Sequence, residues 1–397
     1  MSNSYEGKLA LLSITAFVAV ATFLHLIASN YYCTVGFAPP DLRRPSSDGC
    51  DYSRGKWVFD DVSRPLYREE ECGFLTAQVT CCKNGRKDSL YQKWRWQPTN
   101  CSLPKFDARI LLEKLKGKRV LFVGDSLMRN QWESMVCLLN SGASPVDRKM
   151  WKLGVPFSIF SIQEYNVSVE FYWAPFLVDS NSDDPRNHTI SERIIKPDSI
   201  SGRAELWIPA DVLVFNTYIW WMNHPTIKVV SSDGGWNSTE EVDRTVAFEK
   251  VITTWADWMR RNVDRAATSS FFVGLSPIHH KGAYWNKTGG GGGCGGETLP
   301  IAADSDGAVE MGTDRGLLEI VKKVIKGSGI QVTVVDITAM SEHRKDGHTS
   351  VYTVRQGKLL TPEQQADTAS FADCLHWCLP GVPDVWNEIL YSYIVKP

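Results

Sequence analysis

Residues Val120 to Trp132 read Val-Leu-Phe-Val-Gly-Asp-Ser-Leu-Met-Arg-Asn-Gln-Trp, and the chain changes character halfway along them. Arg119 to Val123 is a short apolar run suited to a strand buried on both faces. After Gly124, Asp125 and Ser126, apolar residues recur at helical spacing: Met128, Trp132, Met135, Val136 and Leu139. Ser126 therefore follows a strand and opens a helix. Catalytic groups of open α/β sheets gather at the carboxyl ends of strands. A helix N-terminus adds free N–H groups and partial positive charge. Those donors can steady an oxyanion when a serine attacks an ester carbonyl. The plain alternative is a serine that only caps its helix. Arg129 sharpens the question. A cation in the first turn opposes the helix dipole at a cost of about 0.3–1 kcal/mol. It needs a partner: Asp125 as an ion pair, an anionic transition state, or a polar substrate.

Further strand-like runs are Val169 to Trp173, Val212 to Asn216, Ser270 to Gly274 and Gln331 to Ile337. Helical patterns cover Val242 to Arg261, Gly316 to Ile325 and Pro383 to Tyr391. Strands alternating with helices predict an α/β fold, a parallel sheet flanked by helices on both faces. The segment Cys50 to Cys101 is rich in Cys, Trp and Tyr without clear periodicity, and reads as a loop-rich piece packed on the main body. The glycine run at Gly289 to Gly293, continued by Gly295 and Gly296, reads as a flexible surface loop. It lacks the strand-to-helix setting of a phosphate cradle.

A serine nucleophile needs a base, and the base needs an orienting partner. Of His188, His224, His279, His280, His343, His348 and His376, six suit ordinary roles on loops or surfaces. His376 stands in Asp373-Cys-Leu-His-Trp-Cys378. Asp373 lies three residues before it, so one helical turn would put both on one face. Cys374 and Cys378 flank the histidine, and two disulfides there would make its loop rigid. A zinc site on Cys374, His376 and Cys378 fits an oxidising compartment poorly. Asn216, at the end of a strand, is either an amide donor to the oxyanion or a turn residue capping its own backbone.

The chain has 397 residues, 43% of them hydrophobic, enough for a substantial core. Its net charge of −2 gives no pull toward nucleic acid. Leu9 to Ala28 is an apolar run without formal charge. About 20 such residues span a bilayer, and the run is longer than the usual signal-peptide core, so an uncleaved anchor is expected. All ten cysteines follow it, as do sequons at Asn100, Asn166, Asn187, Asn237 and Asn286. Together they predict a cytosolic tail at 1–8, an anchor at 9–28, a stem at 29–49 and a disulfide-bonded lumenal catalytic domain at 50–397.

Four stretches together resemble the trichome-birefringence-like family of plant polysaccharide O-acetyltransferases. They are Cys50-Asp-Tyr-Ser-Arg-Gly-Lys-Trp-Val-Phe-Asp60, Tyr91-Gln-Lys-Trp-Arg-Trp-Gln-Pro98, Gly124 to Cys137, and Asp373 to Cys378. Glu170 to Leu177 and Val214 to Asn223 are similar to its xylan-acetylating branch. The resemblance implies a fold related to GDSL/SGNH esterases and a single-pass type II protein of the Golgi membrane. It implies Ser126 as nucleophile, with Asp373 and His376 completing a triad. It places Arg129 near the oxyanion hole, beside Gly124, Asp125 and Asn216. The expected reaction moves acetyl from a donor, acetyl-CoA or an acetylated carrier, to O2 or O3 of xylosyl residues. It calls for no metal and no bound cofactor. Trp94, Trp96, Trp173, Trp220, Trp221 and Trp377 are candidates for stacking on sugar rings. The expected pairings are Cys50 with Cys101 and Cys72 with Cys137, with Cys82, Cys294, Cys374 and Cys378 also bonded. The family pattern is broken at the glycine insert around Cys294 and at the doubled Cys81-Cys82. The competing readings are a polysaccharide acetyl esterase, an acetyltransferase for mannan or pectin, and a non-catalytic wall-polysaccharide binder.

Overall fold

The computed structural model describes residues 49–396 apart from 145–147, 153–156, 188–189, 203, 232–234, 288–291, 303–308 and 310. The run 9–28, and the stem at 29–49 except its last residue, lie outside the described residues. No helix among the described residues is long and apolar enough to cross a membrane. Cys50–Pro397 forms one compact unit.

A hairpin opens the unit, β1 (Gly55–Phe59) pairing antiparallel with β2 (Trp94–Pro98). The central sheet has seven strands. Its order is β13 (Thr333–Val335), β12 (Ser269–Val273), β9 (Val212–Phe215), β3 (Arg119–Gly124), β6 (Val167–Trp173), β5 (Phe157–Ile162) and β4 (Arg148–Lys152). The five strands from β13 to β6 run parallel. From Val120 on β3 is buried throughout, as is all of β9, which is why both read as continuous apolar runs. The expected parallel sheet is corrected at one edge, where β5 and β4 are antiparallel. A second sheet escaped the sequence reading. It runs β11 (Thr239–Asp243), β10 (Thr226–Val230), β8 (Ile194–Ile200), β7 (Val178–Ser180). Its strands are mostly half-exposed, so they lack the unbroken apolar pattern of β3.

Five longer helices accompany the sheets: α1 (Ala108–Lys114), α2 (Ser126–Asn140), α3 (Arg244–Asn262), α4 (Arg315–Ser328) and α5 (Val382–Ile394). Aspartates cap the first three: Asp107, Asp125 and Asp243 each accept from two backbone N–H groups. Helix α2 packs on α5, α1 and β6, whereas α3 packs on α4 and β8. From β3 the chain passes to one side of that strand, to β6, and then crosses to its other side, to β9. The order reverses at β3, and open α/β sheets hold their ligands at such a switch point.

The segment before α1 is tied to the main body at many places. Trp57 Nε1 donates to Met340 O at 2.7 Å, and Arg64 pairs with Glu388 at 2.6 Å. Disulfides join Cys50 to Cys101, Cys72 to Cys137, Cys81 to Cys378 and Cys294 to Cys374. The expectation that Cys82 is bonded is corrected: its thiol is free, and its neighbour Cys81 holds Cys378. Arg86 braces this pairing: its guanidinium donates to Cys378 Sγ and to His348 O, and its backbone N–H donates to Cys81 O at 2.9 Å. The glycine run is corrected too. Gly293 is buried, and a Cβ there would lie 2.4 Å from His279 O. Its described end seats Cys294 against Cys374 and is not a free surface loop.

Candidate active site

The nucleophile turn is built locally. A Cβ on Gly124 would stand 2.5 Å from Asn216 O and 2.9 Å from Met128 Cβ, so only glycine lets β3 end this close to β9. Asn216 N donates to Val123 O at 3.1 Å and Ala174 N to Gly124 O at 2.9 Å, which fixes the turn from both neighbouring strands. Asp125, not Ser126, is the N-cap of α2. Its carboxylate accepts from Leu127 N at 2.9 Å and Met128 N at 3.4 Å. Burial pushes the Asp125 carboxyl above the usual range, against those N–H groups and the backbone of Ile219. Ser126, released from capping, is half-exposed at the first helical position.

The base comes from the other end of the chain. His376 Nε2 stands 2.8 Å from Ser126 Oγ, and its Nδ1 stands 2.8 Å from Asp373 Oδ2. With Nδ1–H donating to the carboxylate, Nε2 is the acceptor for the serine hydroxyl. The helical turn expected for Asp373 and His376 is corrected: both lie in β15 (Asp373–Trp377), paired with β14 (His348–Ser350). The carboxylate reaches the ring because Asp373 Oδ1 folds back onto Leu375 N and His376 N, both at 3.0 Å. Burial raises the Asp373 pKa, but the His376 charge and these hydrogen bonds outweigh it. The carboxyl ends well below the usual range. Serine, imidazole and a firmly ionised carboxylate thus form one continuous hydrogen-bonded line. That arrangement can move a proton off Ser126 and hold the resulting imidazolium.

Residues 103–393 match a family model described as the GDSL/SGNH-like Acyl-Esterase family found in Pmr5 and Cas1p, and residues 48–102 match the PMR5 N terminal Domain. The chain belongs to the GDSL/SGNH-like acyl-esterase family. It is 54% identical over 350 residues to xylan O-acetyltransferase 2 of Oryza sativa subsp. japonica, covering 87% of this chain and 70% of that protein. Xylan O-acetyltransferase 3 of the same plant is 51% identical over 370 residues, 93% of this chain and 80% of its own. Trichome birefringence-like protein 31 of Arabidopsis thaliana is 44% identical over 349 residues, 88% of this chain and 83% of its own.

Within this acyl-esterase site, several side chains stand elsewhere than the sequence suggested. Both amide protons of Asn216 are taken, by Val273 O at 2.9 Å and Gly274 O at 3.0 Å. Asn216 therefore joins β9 to the end of β12 and does not offer its amide to an oxyanion. Arg129 does not pair with Asp125. Its guanidinium donates to Gln78 Oε1 and lies 3.7 Å from Glu133 Oε1, one helical turn on. The Asp125 cap also engages the N–H groups of Leu127 and Met128, leaving the amide of Ser126 itself as the first-turn donor outside the cap. Five of the six tryptophans proposed for sugar stacking are buried: Trp96, Trp173, Trp220, Trp221 and Trp377. Four of them spend their indole N–H inside the protein, Trp96 on Tyr52 O, Trp173 on Ser182 O, Trp221 on Thr217 Oγ1 and Trp377 on Ser276 Oγ. Trp94 alone of the six is half-exposed, with its ring against Phe59.

The structure adds residues that the sequence reading passed over. Asn130, one turn into α2, accepts from Trp377 N at 2.8 Å and donates to Trp377 O at 3.2 Å. It clamps the backbone one residue beyond His376. Behind the base, His348 stacks on Trp377 at 3.9 Å and places Nδ1 3.1 Å from His376 O. Its Nε2 lies 2.6 Å from His279 Nδ1, and His279 Nε2 lies 2.9 Å from Glu342 O. Both rings are buried, and burial holds His279 at about 4 and His348 well below the ordinary imidazole value. The ordinary loop or surface roles expected for His279 and His348 give way to internal support of the base strand, since both are buried.

Proposed function

We propose that this chain is a xylan O-acetyltransferase that works through an acetyl-Ser126 intermediate. The line from Ser126 through His376 to Asp373, with both contacts at 2.8 Å, carries the mechanism. The relatives named xylan O-acetyltransferases, at 51–54% identity over most of the chain, supply the acceptor. His376 Nε2 takes the Ser126 proton as Oγ attacks the acetyl carbonyl of a donor, acetyl-CoA or an acetylated carrier. The carbonyl oxygen becomes an oxyanion, held by the Ser126 N–H at the positive end of α2. The imidazolium returns its proton to the leaving group, and acetyl remains on Ser126. A xylosyl O2 or O3 hydroxyl then enters, gives its proton to His376 and attacks the ester. Ser126 leaves with that proton, and the sugar carries the acetyl group. Asp373 stays ionised throughout and holds the ring in one tautomer.

We place the protein in the Golgi membrane, anchored by residues 9–28 with the body lumenal. Four disulfides support an oxidising compartment. The asparagines of all five sequons are exposed, as glycan attachment requires. Incubating the full chain with an acetyl donor and neutral xylo-oligosaccharide tests the reaction. The expected product is acetylated sugar, with NMR locating the ester at O2 or O3. Release of acetate from acetylated xylan, without any gain on the sugar, would make the protein an esterase instead.

A further inference from the structure

A cavity of about 260 Å³ has walls that include Arg193, Trp220, Asn223 and His224. The Trp220 ring packs edge-on against Trp173 at 5.5 Å, and Trp173 stands beside Gly124 in the register of β6 and β3. The cavity therefore shares the rim of the sheet where Ser126 stands. Its charged wall is unevenly satisfied. Lys228 pairs with Glu192 at 2.9 Å, Arg244 pairs with Asp314 at 2.8 Å, and Glu241 accepts from Thr226. Arg193 differs. Its guanidinium carbon lies 4.0 Å over the Trp220 ring, and its Nε, like that of Arg244, is buried without a hydrogen-bond acceptor among the described residues. No carboxylate among the described residues forms an ion pair with it, and burial alone pulls its pKa down.

A guanidinium stays protonated in proteins and keeps five donors to satisfy. Half-burying one without a counter-charge is costly. Stacking on an indole recovers part of that cost but leaves the in-plane N–H groups open. Those N–H groups form the flat fork that matches a carboxylate or phosphate. We propose that this cavity is an anion subsite on the same rim of the sheet as the catalytic serine, with Arg193 on Trp220 as its receptor for an oxyanion on a small group. Two substrates of the proposed transferase carry that chemistry: an acceptor with a uronic acid branch, and an acetyl donor with a phosphate. The assignment to one of them rests on the transferase reading; the anion site itself does not. The volume is below the roughly 300–1,000 Å³ of sites that enclose drug-sized ligands. It suits one sugar or one phosphate, not a whole nucleotide carrier.

Calorimetry on the full chain tests this with three probes: a neutral xylo-oligosaccharide, the same oligosaccharide with one uronic acid branch, and inorganic phosphate. At least one anionic probe should bind, and Arg193→Gln should weaken it by on the order of tenfold or more, as for a charge-assisted bond. Neutral oligosaccharide binding should be unchanged in Arg193→Gln, which also shows that the variant folds, and Arg193→Lys should recover part of the loss. Tighter binding of the branched sugar than of the neutral one assigns the subsite to the acceptor. Arg193-dependent binding of phosphate without that preference assigns it to the donor. If neither anion depends on Arg193, the proposal is overturned. Binding is read without turnover, so this result stands apart from whether Ser126 transfers acetyl.

Discussion

The two halves of the catalytic line are held in opposite ways. Ser126 is placed mostly by its neighbours in sequence: a strand ends at Gly124, Asp125 caps the helix, and the serine follows, with Asn216 N and Ala174 N bracing the turn from the adjoining strands. His376 is fixed by residues far away in the chain: Asn130 from α2, His348 from β14, and Cys81 and Cys294 through disulfides to Cys378 and Cys374. A nucleophile at a helix start gets most of its placement from a sharp turn between strand and helix. A base in a short strand without a helix to stiffen it needs outside supports, and the fold supplies them on both sides.

Replacing the reacting groups should have the largest effect. Ser126→Ala should lower acetyl transfer by at least about 10³-fold in initial-rate assays, because only general electrostatics remain. Asp373→Asn should lower kcat by about 10³–10⁴-fold, since an amide no longer fixes the tautomer of His376. The comparison between the two halves is tested next. Asn130→Ala removes two hydrogen bonds to the Trp377 backbone without touching the reacting atoms. If distant supports position the base, kcat should fall about 10–100-fold with KM little changed, because small misplacements of catalytic groups are costly. An unchanged kcat would mean that the Asp373 turn holds itself.

That same contrast governs what was legible in the sequence. The strand, the turn and the helix around Ser126 could be read because their determinants lie within about one helical turn of each other. The partnership of Asp373 with His376 could be named from spacing, but its backbone was misread as a helix. The carboxylate reaches the ring through a local turn in a strand, which three-residue spacing does not distinguish. Asn130, His279 and His348 were invisible as supports, since nothing near them in the chain reveals what they touch. The tryptophans were overread for a related reason. An indole suits sugar stacking and core packing equally well, and only the fold shows that Trp221 and Trp377 are interior. The second sheet was missed because its strands are half-wet and carry no unbroken apolar run.

Smaller effects concern stability. Replacing Cys294 and Cys374 by serine together should destabilise the fold by about 2–5 kcal/mol in denaturant unfolding. Activity should fall at temperatures where the body is still folded, because the base strand loses one anchor. Asp384 offers the mildest test. Burial, opposed by hydrogen bonds from Ser134, Gly381 and Tyr67, pushes its carboxyl up to about 6. An unfolded aspartate titrates near 3.9, so the folded protein holds more protons between those values. The contribution to stability is full below the lower value and is lost as pH rises through about 6. In Asp384→Asn that part of the slope, at most about 1.4 kcal/mol per pH unit, should vanish from a series of unfolding curves.

Trapping the acylated enzyme tests the central claim most directly. The full chain, given acetyl donor without acceptor, should gain one acetyl group that peptide mapping by mass spectrometry places on Ser126. Adding xylo-oligosaccharide should then move that group to the sugar. Acetylated sugar formed at an undiminished rate by Ser126→Ala, or an acetyl group on Ser126 that the sugar cannot discharge, would contradict the account.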